Sequence, residues 1–440
     1  MTKLALLGGA PVRRKKFPSY QNFDDQELGA AQRVVKSGIM SRFLGSWHPD
    51  FFGGPEVQAF EKEAAAAFGA EHAVSVNSAS SGLVCALGAA DLNPGDEVIV
   101  SPFSMSVSAT APLVWNAIPV FADIDPQTFN LLPASVEACI TPRTKAIVVV
   151  HLFGQPADLD AIGAIAARHG LTVIEDCAQS PYAVYRDRPV GTLADIGVFS
   201  LNYHKHIHTG EGGVVTTNDP SLCERIQLIR NHAEAVVEAK GISNLSNMLG
   251  FNFRLGEVEA AIGRIQLVKG RSLVEERIAN VQYLEAHLDN LGGFSPAPVE
   301  SENRHVYYVH PFLYDESRLG VSRELFVKAV SAELEVTDGR EAEGVLLRSG
   351  YVKPLYLLPL FQNRQCYGTS HYPFEGAGND GAQKYAPGLC PNCEDAWRNT
   401  LVFHEMMLPG MEEQDLDDVV AAFKKVYENL DDLKAEQTAG

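Results

Sequence analysis

The chain has 440 residues, 46% hydrophobic and 21% charged, the balance of an ordinary globular enzyme with length enough for two domains. Its formal net charge of −19, with no basic block longer than Arg13-Arg14-Lys15-Lys16, argues against a nucleic-acid partner, because phosphate backbones are held by basic patches. No run reaches the roughly 20 apolar residues of a membrane helix, no apolar signal core follows the basic tract, and seven scattered cysteines fit a reducing compartment, so a cytoplasmic protein is expected.

The opening LALLGGAPVRRKKFPSY, punctuated by Gly8-Gly9 and Pro11, reads as an irregular arm over residues 1–22. Asp24 to Gly38 reads as a helix with Asp24 at its cap, and SRFLGSWHPDFFGGP as a glycine-rich and aromatic loop. Glu56 to Phe68 is amphipathic, with Val57, Phe60, Ala64 and Phe68 on one face. Seven short apolar runs then alternate with helical ones: His72–Val76, Glu97–Val100, Pro119–Ala122, Ala146–His151, Leu171–Glu175, Ile196–Leu201 and Gly213–Thr217. Strands that are nearly continuous in Val and Ile are buried on both faces, which predicts a largely parallel sheet covered by helices, an α/β architecture.

After the helical SLCERIQLIRNH, two further stretches show apolar residues at helical spacing, one over 249–267 and one over 271–291, the second crossing toward a smaller unit. A strand-like HVYYVHPFLY, a helix over Arg323–Leu334, a loop rich in Gly, Pro, Tyr and Asn from Gly350 to Pro391 and a last helix over Glu413–Asp432 compose an α+β unit. The expected division is an arm over 1–22, a large domain over 23–285 and a small C-terminal domain over 286–440.

The stretch FSLNYHKHIHTGEGG, Phe199 to Gly213, ends one strand, passes Lys205 and enters a glycine turn before the next strand. VIEDCAQS sets Asp176 and Gln179 at the carboxyl end of another strand, where an acid and a lysine can converge on one ligand. Lys205 taken alone reads as a solvated surface charge, and Asp176 taken alone as a helix cap. Cys390 and Cys393 form a CxxC without a second pair at zinc spacing, and His204, His206 and His208 have no carboxylate or thiolate cluster beside them, so no metal is expected. The three histidines read as facing solvent or a substrate phosphate.

Ser200, Lys205 and Gly210 to Gly213 stand at S-x4-K-x4-GEGG spacing, and with Asp176 they resemble the DegT/DnrJ/StrS family of sugar aminotransferases, a resemblance that covers almost the whole chain. It implies a fold-type I α/β architecture with a seven-stranded, mostly parallel sheet and pyridoxal 5'-phosphate (PLP) as cofactor. Lys205 would be the Schiff-base lysine, Asp176 the partner of the pyridine nitrogen and Gln179 a hydrogen bond to the ring's 3'-oxygen. Ser80 and Ser81, at a strand-to-helix junction, would hold the phosphate with Ser200, although Ala79 to Gly82 replace the family's G-T-A-A; a plain serine cap is the other reading. Met105 stands where relatives stack an aromatic ring; a thioether can pack on a ring face, and core packing is the alternative. GFNFR matches the segment that in relatives crosses a dimer interface to the partner's cofactor phosphate, a role for Asn252 or Arg254 in a homodimer. His232 resembles the family's R-x-H segment near the substrate and reads equally as structural.

The activity so implied is transfer of an amino group, from glutamate as donor, to a keto sugar, nucleotide-linked or a sugar-like ketone such as a keto-cyclitol. The Gly350–Pro391 loop is the expected source of acceptor specificity. One rival is a sugar dehydratase on the same fold, in which histidine replaces the lysine, and Lys205 disfavours it. The other is a non-catalytic regulatory protein, disfavoured by the complete Asp176, Lys205 and Ser200 set.

Overall fold

The computed structural model describes residues 3–288, 291–376, 379–380 and 384–439. All seven expected strands form, within two residues of the boundaries read from the sequence, as β1 (His72–Val76), β2 (Glu97–Val100), β3 (Ile118–Phe121), β4 (Thr144–Val150), β5 (Thr172–Asp176), β6 (Ile196–Ser200) and β7 (Gly213–Thr217). They make one seven-stranded sheet in the order β1-β7-β6-β5-β4-β2-β3. Neighbours from β6 to β3 pair in parallel, and β7 alone runs antiparallel to both of its neighbours. Every residue of β2, β3, β6 and β7 is buried, as the continuous apolar pattern requires.

Helices cover both faces: α1 (Asp25–Ser37), α2 (Pro55–Phe68), α3 (Ala79–Ala89), α4 (Val107–Val114), α5 (Leu159–His169) and α6 (Pro220–Arg230). Asp24 caps α1 in a full capping box with Glu27, satisfying two amides that a helix start leaves open.

The two helical stretches expected over 249–267 and 271–291 are one 32-residue helix, α7 (Glu257–Leu288), preceded by non-helical backbone; residues 289 and 290 lie outside the described residues. Gly270, in the gap between the two stretches, is a close approach inside the helix, since a Cβ there would stand 2.4 Å from the Tyr182 ring.

A second, four-stranded antiparallel sheet, β8 (Phe294–Pro296), β9 (His310–Tyr314), β10 (Leu347–Ser349) and β11 (Leu401–His404), packs with α8 (Arg323–Ala332) and α9 (Glu413–Glu428) in the order β8-β9-β11-β10. Its core holds Phe294, Phe312, Phe326 and Phe423 together with Leu4 and Phe17 from the opening arm. That arm is docked: the buried Arg13 guanidinium binds Asp415 at 2.7 Å and Asp418 at 2.6 Å, and Phe17 bridges to Thr337.

The 350–391 segment is only in part the open specificity loop expected. Leu355, Tyr356, Phe361, Phe374 and Tyr385 are buried against the large sheet, with the Tyr385 hydroxyl donating to the Pro119 carbonyl, while residues 377, 378 and 381–383 lie outside the described residues. Cys390 and Cys393 are buried, and the Asp123 carboxylate accepts the amides of Asn392 and Cys393 at that short helix start.

Replacing Arg13 by Ala strands two acids near the second core. Denaturant unfolding should show a loss of about 3 kcal/mol, as for removal of one member of a buried ion pair, with faster tryptic cleavage at Lys15. A loss below about 1 kcal/mol would mean the arm is held by its apolar contacts alone.

Candidate active site

The parallel strands β5 and β6 set the site. β5 ends in Asp176, 4% exposed, in register with Val198 of β6. The Asp176 carboxylate accepts the Ala178 amide at 3.0 Å. Burial pushes its carboxyl above the ordinary 3.8, against the Ala178 amide, the nearby Lys205 and His151 charges and the Ser108 hydroxyl.

β6 runs into the loop that carries Lys205, whose amide donates to the Asn202 carbonyl. Burial lowers the Lys205 amine from 10.5 to about 8, opposed by the charges of Asp176 and Glu405. The two groups act on each other through the field, with no direct ion pair between them among the described residues. The Lys205 Nζ lies 4.2 Å from the centroid of the Tyr308 ring, a cation–π placement. Tyr308 is held in turn by Arg277, buried on α7, which donates to the Tyr307 and Tyr308 carbonyls at 3.1 and 3.2 Å.

Gln179 is buried, and its amide is committed at both ends: Oε1 accepts the Phe153 amide at 2.7 Å and Nε2 donates to the Tyr351 hydroxyl at 2.9 Å. One Nε2 proton is left over for a ligand oxygen.

Ser200 lies opposite Gly213 in the β6–β7 ladder, and a Cβ on Gly213 would stand 2.7 Å from the Ala79 amide nitrogen and the Ser78 carbonyl carbon. That glycine brings Ser200 to the N-terminus of α3. The cap there is Ser78, whose hydroxyl accepts the Ser81 amide at 3.1 Å. Ser81 is buried and donates to the Asn77 side chain at 2.6 Å, so its hydroxyl braces the turn, whereas Ser80 is exposed at the helix start. Helix-start amides with hydroxyls around them suit an anion.

The GFNFR segment arrives at the same place, because the Phe253 carbonyl accepts the Asn77 amide at 2.8 Å. Asn252 is exposed and accepts from Arg254 Nε at 2.7 Å. Met105 is 64% exposed, which rules out core packing.

The three histidines do not converge. His204 lies beside Lys205 and is half-buried; His208 packs on Phe23 and is lowered by burial to about 4. His206 is buried rather than facing solvent, with Nε2 on the Val306 carbonyl at 2.8 Å, and burial holds it neutral, well below 6.5. His232, half-buried, pairs its amide with the Phe251 carbonyl and stands away from this constellation in its hydrogen bonding.

A metal-like trio, His151, Glu175 and Cys177, lies beneath the site, but Glu175 already accepts the amides of Gly191, Leu193 and Ala194 as well as His151 Nε2, and His151 Nδ1 accepts the Ala157 amide. These donors are consumed in bracing the strand ends.

Asp176 and the α3 cradle together fit PLP. A buried carboxylate without a contacting cation suits a protonated pyridine nitrogen, and the cradle suits its phosphate. Ser78, Ser108, Tyr308, Tyr351 and Arg277 are the members that the sequence reading missed. Only Ser78 carried a local signal, a serine three residues before Ser81 at a helix start.

A sequence model of the DegT/DnrJ/EryC1/StrS aminotransferase family matches residues 46–424. The L-glutamine:2-deoxy-scyllo-inosose aminotransferase of Micromonospora echinospora is 34% identical, over 99% of this chain and 100% of its own. The spore coat polysaccharide biosynthesis protein SpsC of Bacillus subtilis is 32% identical, over 92% of this chain and 95% of its own. Among solved structures, DesI, crystallised in the presence of its TDP-sugar product, superposes with a TM-score of 0.79 at 26% identity, covering 99% of each chain. The architecture is the fold-type I α/β fold that the motifs implied.

Two measurements on the cofactor-free protein test the electrostatics. Competitive acetylation with peptide mapping should show Lys205 gaining reactivity through a midpoint near pH 8; a midpoint near 10.5 would place its amine in water. Asp176→Asn should stabilise the protein at neutral pH. A carboxyl raised by folding costs stability wherever it is ionised, and the cost fades as pH falls below the unfolded value, so the gain should vanish below about pH 4. A variant less stable than wild type at pH 7 would show that the Asp176 charge is compensated by its neighbours.

Proposed function

The chain belongs to the DegT/DnrJ/EryC1/StrS aminotransferase family, and we propose that it uses PLP to move an amino group from L-glutamine to the ketone of a polyhydroxylated ring. The observation that carries the reading is the opposed pair of buried Asp176 and half-buried Lys205 beside a helix-start anion cradle.

The cofactor, when bound, supplies an aldehyde to take the amino group and a ring to accept the electrons left at the donor's α carbon. Lys205, with an amine lowered to about 8, holds enough neutral base near neutrality to take the α proton and return it to the acceptor carbon. Asp176, a carboxylate at the strand end, keeps the pyridine nitrogen protonated. Ser80 and Ser200 with the α3 amides would hold the phosphate, while the Ser78 and Ser81 hydroxyls brace the turn that presents them. The remaining Gln179 N–H would serve the 3'-oxygen, and exposed Met105 would be available to pack on the ring.

Glutamine replaces the glutamate suggested by the sequence as the first choice of donor because relatives of matching length are named for it. Their acceptors, named as scyllo-inososes, favour a keto-cyclitol, while DesI, crystallised with its TDP-sugar product, supports a nucleotide-linked ketone as the second choice. We also read the enzyme as a cytoplasmic homodimer in which Asn252 or Arg254 completes the partner's phosphate site. All seven cysteines being free and Asn252 being exposed support these parts. No helix among the described residues is long and apolar enough to cross a membrane.

The PLP-loaded protein should lose its yellow colour with L-glutamine at least ten times faster than with L-glutamate, and mass spectrometry should then find an amine on a keto-inositol. Lys205→Ala should bind PLP yet lose about 10³-fold or more in turnover, as for removal of a group acting as both nucleophile and base. No colour change with any amino acid, or loss of water from the acceptor in place of amination, would overturn the reading.

A further inference from the structure

A cavity of about 300 Å³ opens beside Lys205. Its inner wall is Tyr308, whose ring faces the Lys205 amine, and Tyr351, whose hydroxyl accepts from Gln179. A ladder of four charged side chains, Arg340, Glu343, Arg348 and Glu405, lines the same cavity. Arg340 grips Glu343 with two bonds, Nε to Oε1 at 2.8 Å and Nη2 to Oε2 at 2.7 Å, and donates from Nη1 to Glu405 at 2.8 Å. Arg348 closes the other end on Glu343 at 3.3 Å. Tyr308, whose ring centroid lies 4.2 Å from the Lys205 Nζ, lines the same cavity as the ladder, and the Glu405 charge raises that amine, so ladder and amine flank one ring.

Two guanidinium groups and two carboxylates sum to no net charge, and His204 at the rim is lowered by burial and then by Arg340, so it adds none near neutrality. A diphosphate on this wall would have to break the Arg340 pairs and lie against Glu343 and Glu405 in a chain that is already strongly acidic. A hydroxyl faces no such conflict. It donates to a carboxylate lone pair and accepts from a guanidinium N–H at once, and neighbouring hydroxyls on a ring repeat that alternation along the ladder. The wall is also pre-set: the amide of Asp338 donates to the Phe17 carbonyl at 2.9 Å, so the docked arm fixes the loop that carries Arg340.

Resting on the aminotransferase reading above, we propose that the Arg348-Glu343-Arg340-Glu405 ladder is the acceptor subsite, and that it selects an uncharged polyhydroxylated ring over one carrying a nucleoside diphosphate. The ketone then lies toward Lys205 and the ring hydroxyls toward the ladder.

The test is calorimetric titration of the PLP-loaded protein with scyllo-inositol, which has no ketone and cannot turn over, and separately with thymidine diphosphate. Wild type should bind the inositol in the millimolar range and show no thymidine diphosphate binding at the same concentrations. Glu343→Gln should weaken inositol binding at least tenfold and raise the KM for a keto-inositol in parallel. Arg348→Gln, at the exposed end and outside the second core, should weaken it about threefold with an unchanged melting temperature. Tighter binding of thymidine diphosphate than of inositol would overturn the proposal, as would unchanged inositol affinity in both variants. A rise in the KM for L-glutamine alone would assign the ladder to the amino donor and overturn it too. If inositol binding follows the ladder while no amino group reaches any acceptor, the subsite stands and the transfer reading fails; colour loss with glutamine and amination of a TDP-keto sugar only would have the reverse meaning.

Discussion

The centre of this molecule depends on two opposite charges drawn largely out of water at the carboxyl ends of neighbouring parallel strands. Asp176 ends β5, and Lys205 follows β6 after a short loop. Each is penalised by burial and only partly relieved, Asp176 by the Ala178 amide and the Lys205 field and Lys205 by the fields of Asp176 and Glu405, so the carboxyl is driven up and the amine down, both toward neutrality. A direct salt bridge would have quenched both groups. Their separation leaves the acid ready for a cation and the amine ready for an electrophilic carbon, which is the demand that PLP meets.

Holding the pair apart requires a stiff surround. The turn after Lys205 is pinned by Tyr20, whose hydroxyl donates to the His206 carbonyl, and by His206 itself on the Val306 carbonyl. Below the strands, Glu175 gathers three backbone amides and His151, fixing the residue next to Asp176. Glu175 and His151 look at first like candidate ligands. Their donors and acceptors are already matched, and they act by fixing where Asp176 stands.

What could be read in the sequence follows from how local each signal is. The seven strands appear as apolar runs because both faces of the sheet are covered, and the capping box of α1 lies within four residues, so both were legible. Lys205, Asp176, Ser200 and the glycine turn were legible because they keep a fixed spacing around strand ends. Tyr308 and Arg277 were not, since a cation–π contact across about a hundred positions of chain and a guanidinium on two carbonyls leave no periodic trace. The continuity of α7 was missed for a related reason: its apolar positions read as two separate stretches, and only the fold shows that Gly270 between them is a close approach to Tyr182. The 350–391 stretch was read as a loop from its composition, whereas Tyr356, Phe361, Phe374 and Tyr385 within it are buried.

The long helix α7 joins these levels. Its Arg277 holds the carbonyls of Tyr307 and Tyr308, and so the ring facing Lys205. One turn further on, Asn280 donates to the carbonyls of Met407 and Leu408, directly after Glu405 at the inner end of the charged ladder. The reacting amine and the wall opposite it are therefore referred to the same rigid rod, although one belongs to the large sheet and the other follows a strand of the small one. Two separate helices over 249–267 and 271–291, as the sequence was read, would have left the spacing between amine and ladder to a hinge. As one unbroken helix α7 sets that spacing, and with it, on the acceptor subsite proposed above, the size of ring that could bring a ketone to Lys205 while its hydroxyls reach Glu343 and Arg340.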